Sequence, residues 1–416
     1  MRPLLLVVLT VCTVNVFCQK KCVAEDYENR EIQLFPDLSE KFRAIQNFIT
    51  EKHRQQQLIS SAAGTTSAGI SVIKIPVVVH ILYNSPAERI SEAQVRSQIE
   101  VLNKDFRRLN ADTLKTPPVY KNLAGDCQIE FSFASKDPHG KSTSGIVWKK
   151  TSILFFGIDD RIKYSAIGGD DAWDPKKYLN IWVGSLAGMM GYSSTPGGPE
   201  NKDGIVVSYN SFGTTGSATI PFNKGRTTVH EIGHWLGLRH TWGDAYCGDD
   251  HVDDTPAQER ASRDCPSGII ISCNNGPYGN MYMNFMDLTN DDCTNMFTKG
   301  QVDRMRSMFS GGGPRYPLLQ SDTEGIPSGT GEESGNIPAE QQVIVYPNPA
   351  SDHLTIQVSA NDHSIRTIAI YNQVGQMILK QRIVQSVTHV NILHLNSGVY
   401  YIRIEARKGM VKFIKY

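Results

Sequence analysis

The run His230-Glu231-Ile232-Gly233-His234-Trp235-Leu236-Gly237-Leu238-Arg239-His240 admits few local structures. Histidines at i and i+4 stand one turn apart on one helix face, about 6 Å between side-chain bases, so two imidazoles can meet one ion. Six residues of further helix would turn His240 about 120° away from His234, so a third ligand requires the helix to stop. Gly237 supplies the stop, because glycine enters the left-handed region without a Cβ penalty. Val229, Ile232 and Leu236 give the same helix an apolar back. The pattern predicts a zinc site with ligands His230, His234 and His240. Three protein ligands leave one tetrahedral position for water, and Glu231 beside it is the candidate general base for hydrolysis by zinc-activated water. Two plainer readings compete: Thr228-x-x-Glu231 also fits a capping box, and a downstream cysteine as fourth ligand would make the zinc structural.

At 416 residues the chain has room for two or three domains. Lys plus Arg and Asp plus Glu both number 42, so no general attraction to nucleic acid or an anionic surface is implied. Arg2, the apolar stretch Leu4 to Val11, and Val16 and Cys18 before a cut predict a signal peptide over 1–18, too short to span a bilayer. No integral membrane segment is expected. Removing it leaves Cys22, Cys127, Cys247, Cys265, Cys273 and Cys293, an even set that suggests disulfides in an exported chain. The last four allow three pairings, and Cys22 and Cys127 stand apart from them.

Residues 19–69 carry Phe42, Ile45 and Ile49 at helical spacing and end in the small-residue stretch 60–69, read as a protease-sensitive hinge closing a prosegment. Residues 70–310 form the expected catalytic domain. Strands are predicted at Ile73 to Leu82, Ile129 to Ala134, Leu179 to Val183 and Ile205 to Tyr209. A helix from Ser91 is predicted by the capping box Ser91-x-x-Gln94 and the stripe Val95, Ile99, Leu102 and Phe106. Residues 311–342 read as a linker from their Gly, Pro, Ser and Glu content. Over 343–416, alternating strands at Leu354 to Val358, Ile365 to Tyr371, Gln376 to Ile383, His389 to Leu395, Val399 to Glu405 and Met410 to Ile414 predict a small all-β sandwich. Turn signals at Gly375, Asn396-Ser397-Gly398 and Lys408-Gly409 separate several of these strands.

The histidine run, with Ile75-Pro76-Val77-Val78-Val79-His80, Leu102-Asn103-Lys104-Asp105-Phe106, His240-Thr241-Trp242-Gly243-Asp244, Asp254-Thr255-Pro256 and Phe297-Thr298-x-Gly300-Gln301, resembles the metzincin peptidases, and among them the cytophagalysin branch of the pappalysins. That resemblance implies a secreted zinc endopeptidase of mixed α/β (α+β) fold, acting on proteins or peptides. It further implies Met286 as the Met-turn floor beneath the zinc, and disulfides Cys247–Cys273 and Cys265–Cys293. A structural calcium would sit in the acidic loop after the third histidine, with Asp250, the Asp253 carbonyl and Thr255 as the preferred ligands. Cys22 matches a prosegment cysteine whose thiolate takes the fourth zinc position in the latent state, although Val23-Ala24 follows it where relatives have Gly-Thr. A Cys22–Cys127 disulfide is the competing expectation. Asp291 and Asp292 are candidates for favouring a basic substrate residue. Leu288 replaces a tyrosine that relatives place near the reacting oxygen, which keeps an inactive, surface-displayed binding protein as the second reading.

The C-terminal module resembles the sorting domain of type IX secretion cargo through Val345-Tyr346-Pro347-Asn348-Pro349, Tyr371-Asn372-x-x-Gly375, Gly398-Val399-Tyr400-Tyr401-Ile402-Arg403 and the basic end at Lys412 to Tyr416. This implies the secretion machinery as a partner and a secreted or cell-surface location.

Overall fold

The structure is a computed structural model that describes residues 22–62, 71–320, 343–346, 350–358, 366–372, 376–383, 387–404 and 410–415. The signal peptide, residues 63–69 of the hinge, Pro347 to Pro349, Gly375 and Lys408-Gly409 lie outside them. Among the described residues no helix is long and apolar enough to cross a membrane. The chain divides into two compact units, one ending at Ser328 and the other beginning at Gly329.

The first unit is built on strand β1 (Ile73–Tyr83), a near-continuous apolar run buried along almost its whole length. A strand apolar on both faces suits the middle of a parallel sheet that is covered on both sides. Accordingly β1 pairs in parallel with β2 (Ile129–Phe133), β3 (Ile146–Lys150) and β4 (Leu179–Gly184). Next to β4 comes parallel β6 (Ile205–Ser208), and antiparallel β5 (Gly191–Ser193) closes the edge, giving the order β2-β1-β4-β6-β5. Ile75, Val77, Val79 and Ile81 face the main core, shared with Ile99 and Leu102 of α3 (Glu92–Asp105) and Val229 and Ile232 of α5 (Arg226–Trp235). The other face carries Leu82, Trp182, Val206 and Tyr192. A one-turn helix α4 (Pro118–Lys121) precedes β2, and α6 (Lys299–Ser307) follows the site loops.

Two further helices lie N-terminal to the sheet, α1 (Ala24–Leu34) and α2 (Leu38–Ala62), so the expected hinge begins after Ala62 and not at Ser60. Both pack on the domain: Val23 and Tyr27 join the outer-face cluster, and Ile49 joins the main core. Ser91 caps α3 as expected, its hydroxyl accepting the Gln94 N–H at 3.2 Å. The Gln94 side chain does something else, donating to the carbonyls of Phe212 (2.8 Å) and Tyr209 (3.2 Å) and so tying down the loop after β6.

The expected linker boundary moves. Residues 311–320 pack on the first unit: Leu318 is buried in the main core, and Arg315 lies 3.9 Å over the Trp235 ring while pairing with Asp203.

The second unit has two antiparallel sheets, β11-β8-β7 and β10-β9-β12-β13. These comprise β7 (Val343–Tyr346), β8 (His353–Val358), β9 (Arg366–Asn372), β10 (Met377–Ile383), β11 (Val387–Asn391), β12 (Gly398–Ile404) and β13 (Met410–Lys415). Leu354, Ile356 and Val390 of one sheet share a core with Ile368, Ile370, Ile402 and Phe413 of the other. Alternate positions are therefore apolar, as a sandwich requires. Strand β7, ahead of the first strand read from the sequence, completes the smaller sheet.

One polar network braces β1 from behind. His80 is buried, with Nδ1 at 2.7 Å from Asp170 Oδ2 and Nε2 at 3.2 Å from Asn180 Oδ1, and Lys149 donates to Asp170 Oδ1 at 2.9 Å. Burial raises the Asp170 pKa, but the hydrogen bonds and charges of His80 and Lys149 outweigh it and hold the carboxyl below its usual 3.8. A depressed folded-state pKa contributes stability that is present above the unfolded value and lost as pH falls through the folded one. Asp170→Asn should therefore destabilise the unit by about 2 kcal/mol near neutral pH. Urea unfolding followed from pH 7 to pH 3 should show the gap between variant and wild type closing below about pH 4.

Candidate active site

Helix α5 is fixed at both ends. Its N-cap is Gly225 at φ 72°, and the buried Asp291 carboxylate accepts the N–H groups of Lys224 (2.8 Å) and Arg226 (3.3 Å). Thr228 thus lies inside the helix and cannot be its cap, which removes the capping-box reading of Glu231. Asp291 thus serves the helix start through Oδ2, and Asp292 forms an ion pair with Lys224. Arg226 pairs with Asp105 at 2.7 Å and Asp112 at 3.1 Å.

At the other end Gly237 has φ 85°. Its N–H reaches His234 O at 2.8 Å and the Leu238 N–H reaches Gly233 O at 3.0 Å, the paired bonds of a Schellman turn. The chain leaves the helix there and returns His240 beside His234. Arg304 Nε, from α6, donates to the Gly237 carbonyl at 2.8 Å and pins the turn.

The three rings converge. His234 Nε2 is 3.1 Å from both His230 Nε2 and His240 Nε2, and the Cys22 thiol is 3.5 Å from His234 Nε2. Two nitrogens on one tetrahedral zinc stand roughly 3.3 Å apart, and a nitrogen and a thiolate sulfur roughly 3.6 Å apart. Among the described residues these four side chains bring their ligand atoms within 4.8 Å of one another.

Each Nδ1 has an acceptor. His230 Nδ1 donates to Phe285 O at 2.6 Å, His234 Nδ1 to Leu238 O at 3.0 Å, and His240 Nδ1 to the Asp244 carboxylate. A carbonyl can only accept, so the proton sits on Nδ1 and the Nε2 lone pair points inward, the tautomer a metal needs. The Trp242 ring stacks on His240 at 4.1 Å between centroids. Asp244 keeps a lowered pKa, because its hydrogen bond to His240 overcomes the effect of burial.

Glu231 is fully buried, its Oε2 3.8 Å from the Cys22 sulfur. Gly191 of the edge strand makes room for it. A Cβ there would stand 2.8 Å from Glu231 Oε1 and 2.9 Å from Val206 O. Cys22 reaches this strand by a parallel bridge to Gly191. Cys127 is buried in the main core, and neither of these two cysteines is in a disulfide.

Met286 is buried under the helix, where a Cβ on Gly233 would overlap its sulfur. Its loop is tied to α6: Asn284 accepts the Met286 N–H at 2.9 Å and donates to Gln301 at 2.8 Å, and Gln301 forms a capping box with Thr298. Leu288 is buried nearby in sequence, its N–H held by Asp287. Disulfides join Cys247 to Cys273 and Cys265 to Cys293, with Cα separations of 5.7 and 5.6 Å.

Of the preferred calcium set, Asp250 and Thr255 come together: both Asp250 oxygens accept from Thr255 Oγ1 at 2.8 Å, and that hydroxyl is 2.7 Å from Val252 O. The Val252 carbonyl lies beside them, and Val252 and Asp253 both line an adjoining hollow with Asp249, Asp254 and Asp303.

Gly191, Asp244 and the Phe285 carbonyl were not read from the sequence as site groups. Only Asp244, an acid four residues after the third histidine, left a signal that a search for histidine partners would have caught.

Residues 164–310 match the family model described as pregnancy-associated plasma protein-A, the pappalysins, and residues 344–415 match that of the secretion system C-terminal sorting domain. An extracellular metalloprotease of Pyricularia oryzae is 31% identical over 261 residues, covering 60% of this chain and 80% of that relative. Mature mirolysin of Tannerella forsythia, solved in complex with a cleaved peptide, is 48% identical with TM-score 0.59, covering 60% of this chain and 96% of that one. A promirolysin point mutant of the same organism is 41% identical with TM-score 0.63, covering 72% of this chain and 97% of that one.

The Asp244 contact can be tested separately from activity. Asp244→Asn should weaken metal retention about 10- to 100-fold, read by competition with a chromophoric chelator, while leaving the helix content unchanged.

Proposed function

Because the chain belongs to the pappalysin family and is a secreted metallopeptidase with a type IX sorting domain, we propose that it is a zinc-dependent endopeptidase made as a zymogen, with Glu231 as general base. The observation that carries this reading is the convergence of His230, His234 and His240 Nε2 beside a buried Glu231. The chemistry a zinc ion held there would supply is acidification of water and polarisation of the scissile carbonyl. Glu231 takes a proton from the attacking water and delivers it to the leaving amine. A purely adhesive protein would gain nothing from a carboxylate buried at that position.

Strand β5 supports the choice of substrate class. It is the edge strand of its sheet, its outer side is bridged at Gly191 by Cys22 of the N-terminal segment, and Gly191 lies against Glu231, so removal of that segment would free the edge for another chain. An extended peptide adding to that edge has its backbone drawn past the base.

Residues 22–62 act as the prosegment in this reading, removed by cutting within 63–70. Cys22 completes the donor set in the latent chain, and the Ala24 N–H donates to its sulfur at 3.4 Å, which favours a thiolate. Asp250, Thr255 and the Asp253 carbonyl, with the Val252 carbonyl beside them, are the oxygens a calcium ion would use; burial pushes the Asp250 carboxyl up to about 7, and a cation would return it to the charged form. Residues 343–416 serve as the export address, and residues 71–320 carry the catalysis.

Glu231→Ala should lower kcat on a quenched peptide roughly 10²- to 10⁴-fold while elemental analysis still finds zinc, since the base is not a ligand. Rates equal to wild type would sink the mechanism. Cys22→Ala in the full chain should shorten the lag before activity appears, and an unchanged lag would remove the cysteine from latency.

A further inference from the structure

Tyr27 and Glu31 of α1 cover a charged cluster on the outer face of the sheet. Lys163 Nζ is 3.0 Å from Asp160 Oδ1, and Lys202 Nζ is 3.2 Å from Asp160 Oδ2 and ion-paired with Glu31. The Tyr27 and Tyr192 hydroxyls donate to the same aspartate at 2.8 and 3.4 Å. Lys163 is enclosed by rings, 5.0 Å from the centroids of Tyr27 and Tyr192 and 5.4 Å from that of Trp182. Phe35 lies 5.4 Å from Lys202. The side chains of Glu31, Asp160, Lys163 and Lys202 are all at most 7% exposed.

Charge decides what such a place needs. With α1 in position two carboxylates meet two ammonium groups. Of the neighbouring charges, Arg30 sits at the rim on Glu31, Asp203 is paired with Arg315, and Asp159 with Arg161. Without the N-terminal helices, Tyr27 and Phe35 leave together with Glu31, and Lys163 and Lys202 are left to share the Asp160 carboxylate beside Trp182 and Tyr192. The surplus positive charge at this half-open place favours an anion.

Position decides who brings the anion. Tyr192 follows Gly191 in β5, and successive strand residues point to opposite faces. Gly191 faces Glu231, so the cluster lies just across the edge strand from the reacting centre. One chain already reaches both places, with Cys22 among the histidines and Tyr27 and Glu31 in the cluster. The helical path between them spans roughly 10 to 14 Å, which an extended peptide covers in about three or four residues.

We propose that departure of the N-terminal helices uncovers a carboxylate-binding subsite, formed by Lys202, Lys163 and Tyr192, that takes an acidic side chain of the protein substrate about three or four residues from the scissile bond. The place held by Glu31 in the latent chain is taken by a substrate glutamate or aspartate in the active one. The proposal rests on the zymogen reading above.

The test uses the full chain, cut within 63–70 and freed of its N-terminal fragment. The substrates are C-terminally amidated peptides that share one scissile bond and carry either Glu or Gln at a single position up to five residues away on either side. At one position Glu should lower KM about five- to tenfold relative to Gln, with kcat little changed. Lys202→Met should erase that difference and Lys202→Arg should keep it. A series in which no position separates Glu from Gln, or a preference that survives Lys202→Met, would overturn the subsite. Failure of the zymogen reading shows elsewhere, as equal activity before and after the cut.

Discussion

Three imidazoles present their Nε2 lone pairs to one point only if each Nδ1 finds an acceptor, and the rest of the catalytic unit is arranged to provide three. The Leu238 carbonyl is available because the helix ends in a left-handed turn at Gly237. The Phe285 carbonyl arrives from the Met286 loop, which Asn284, Gln301 and the α6 cap hold in place. Asp244 comes from the loop that the third histidine opens. Removing any of these acceptors would free a ring to turn or to change tautomer, so the metal site depends on contacts up to fifty-five residues away.

The N-terminal helices cover this centre by distributed contacts. Cys22 meets the histidines, Tyr27 and Glu31 engage the lysine cluster, and Glu28 accepts from Thr195 at 3.1 Å. Gln46 of α2 accepts from Arg304, the same residue that pins the Gly237 turn. A single thiol on a metal exchanges readily, whereas buried ion pairs and apolar side chains spread along two helices must be surrendered together. Severing the chain after α2 therefore weakens every contact at once by turning a tethered segment into a dissociable one.

What could be read from the chain without the structure follows the range of the interaction. The i, i+4 histidines and the glycine stop are local, and they appear where the spacing puts them. The apolar strand β1 and the shorter strands β2, β4 and β6 were likewise legible. Strand β3 escaped because its burial does not alternate cleanly, and β5 because it is three residues long and begins with glycine. Two of the three Nδ1 acceptors are backbone carbonyls, which every residue carries, so no composition or spacing marks them out. Residues 311–320 have a linker's composition, yet Arg315 and Leu318 bind them to the first unit.

Gly191 ties the edge strand to the buried Glu231. A side chain there would strike both Glu231 and the Val206 carbonyl, so the strand keeps its place against Glu231 only by having none. A peptide that pairs with β5 is then positioned by main-chain hydrogen bonds that are indifferent to its sequence. Selectivity has to come from side-chain pockets beyond the strand, and the lysine cluster beside Tyr192 is one charged place that the N-terminal helices cover.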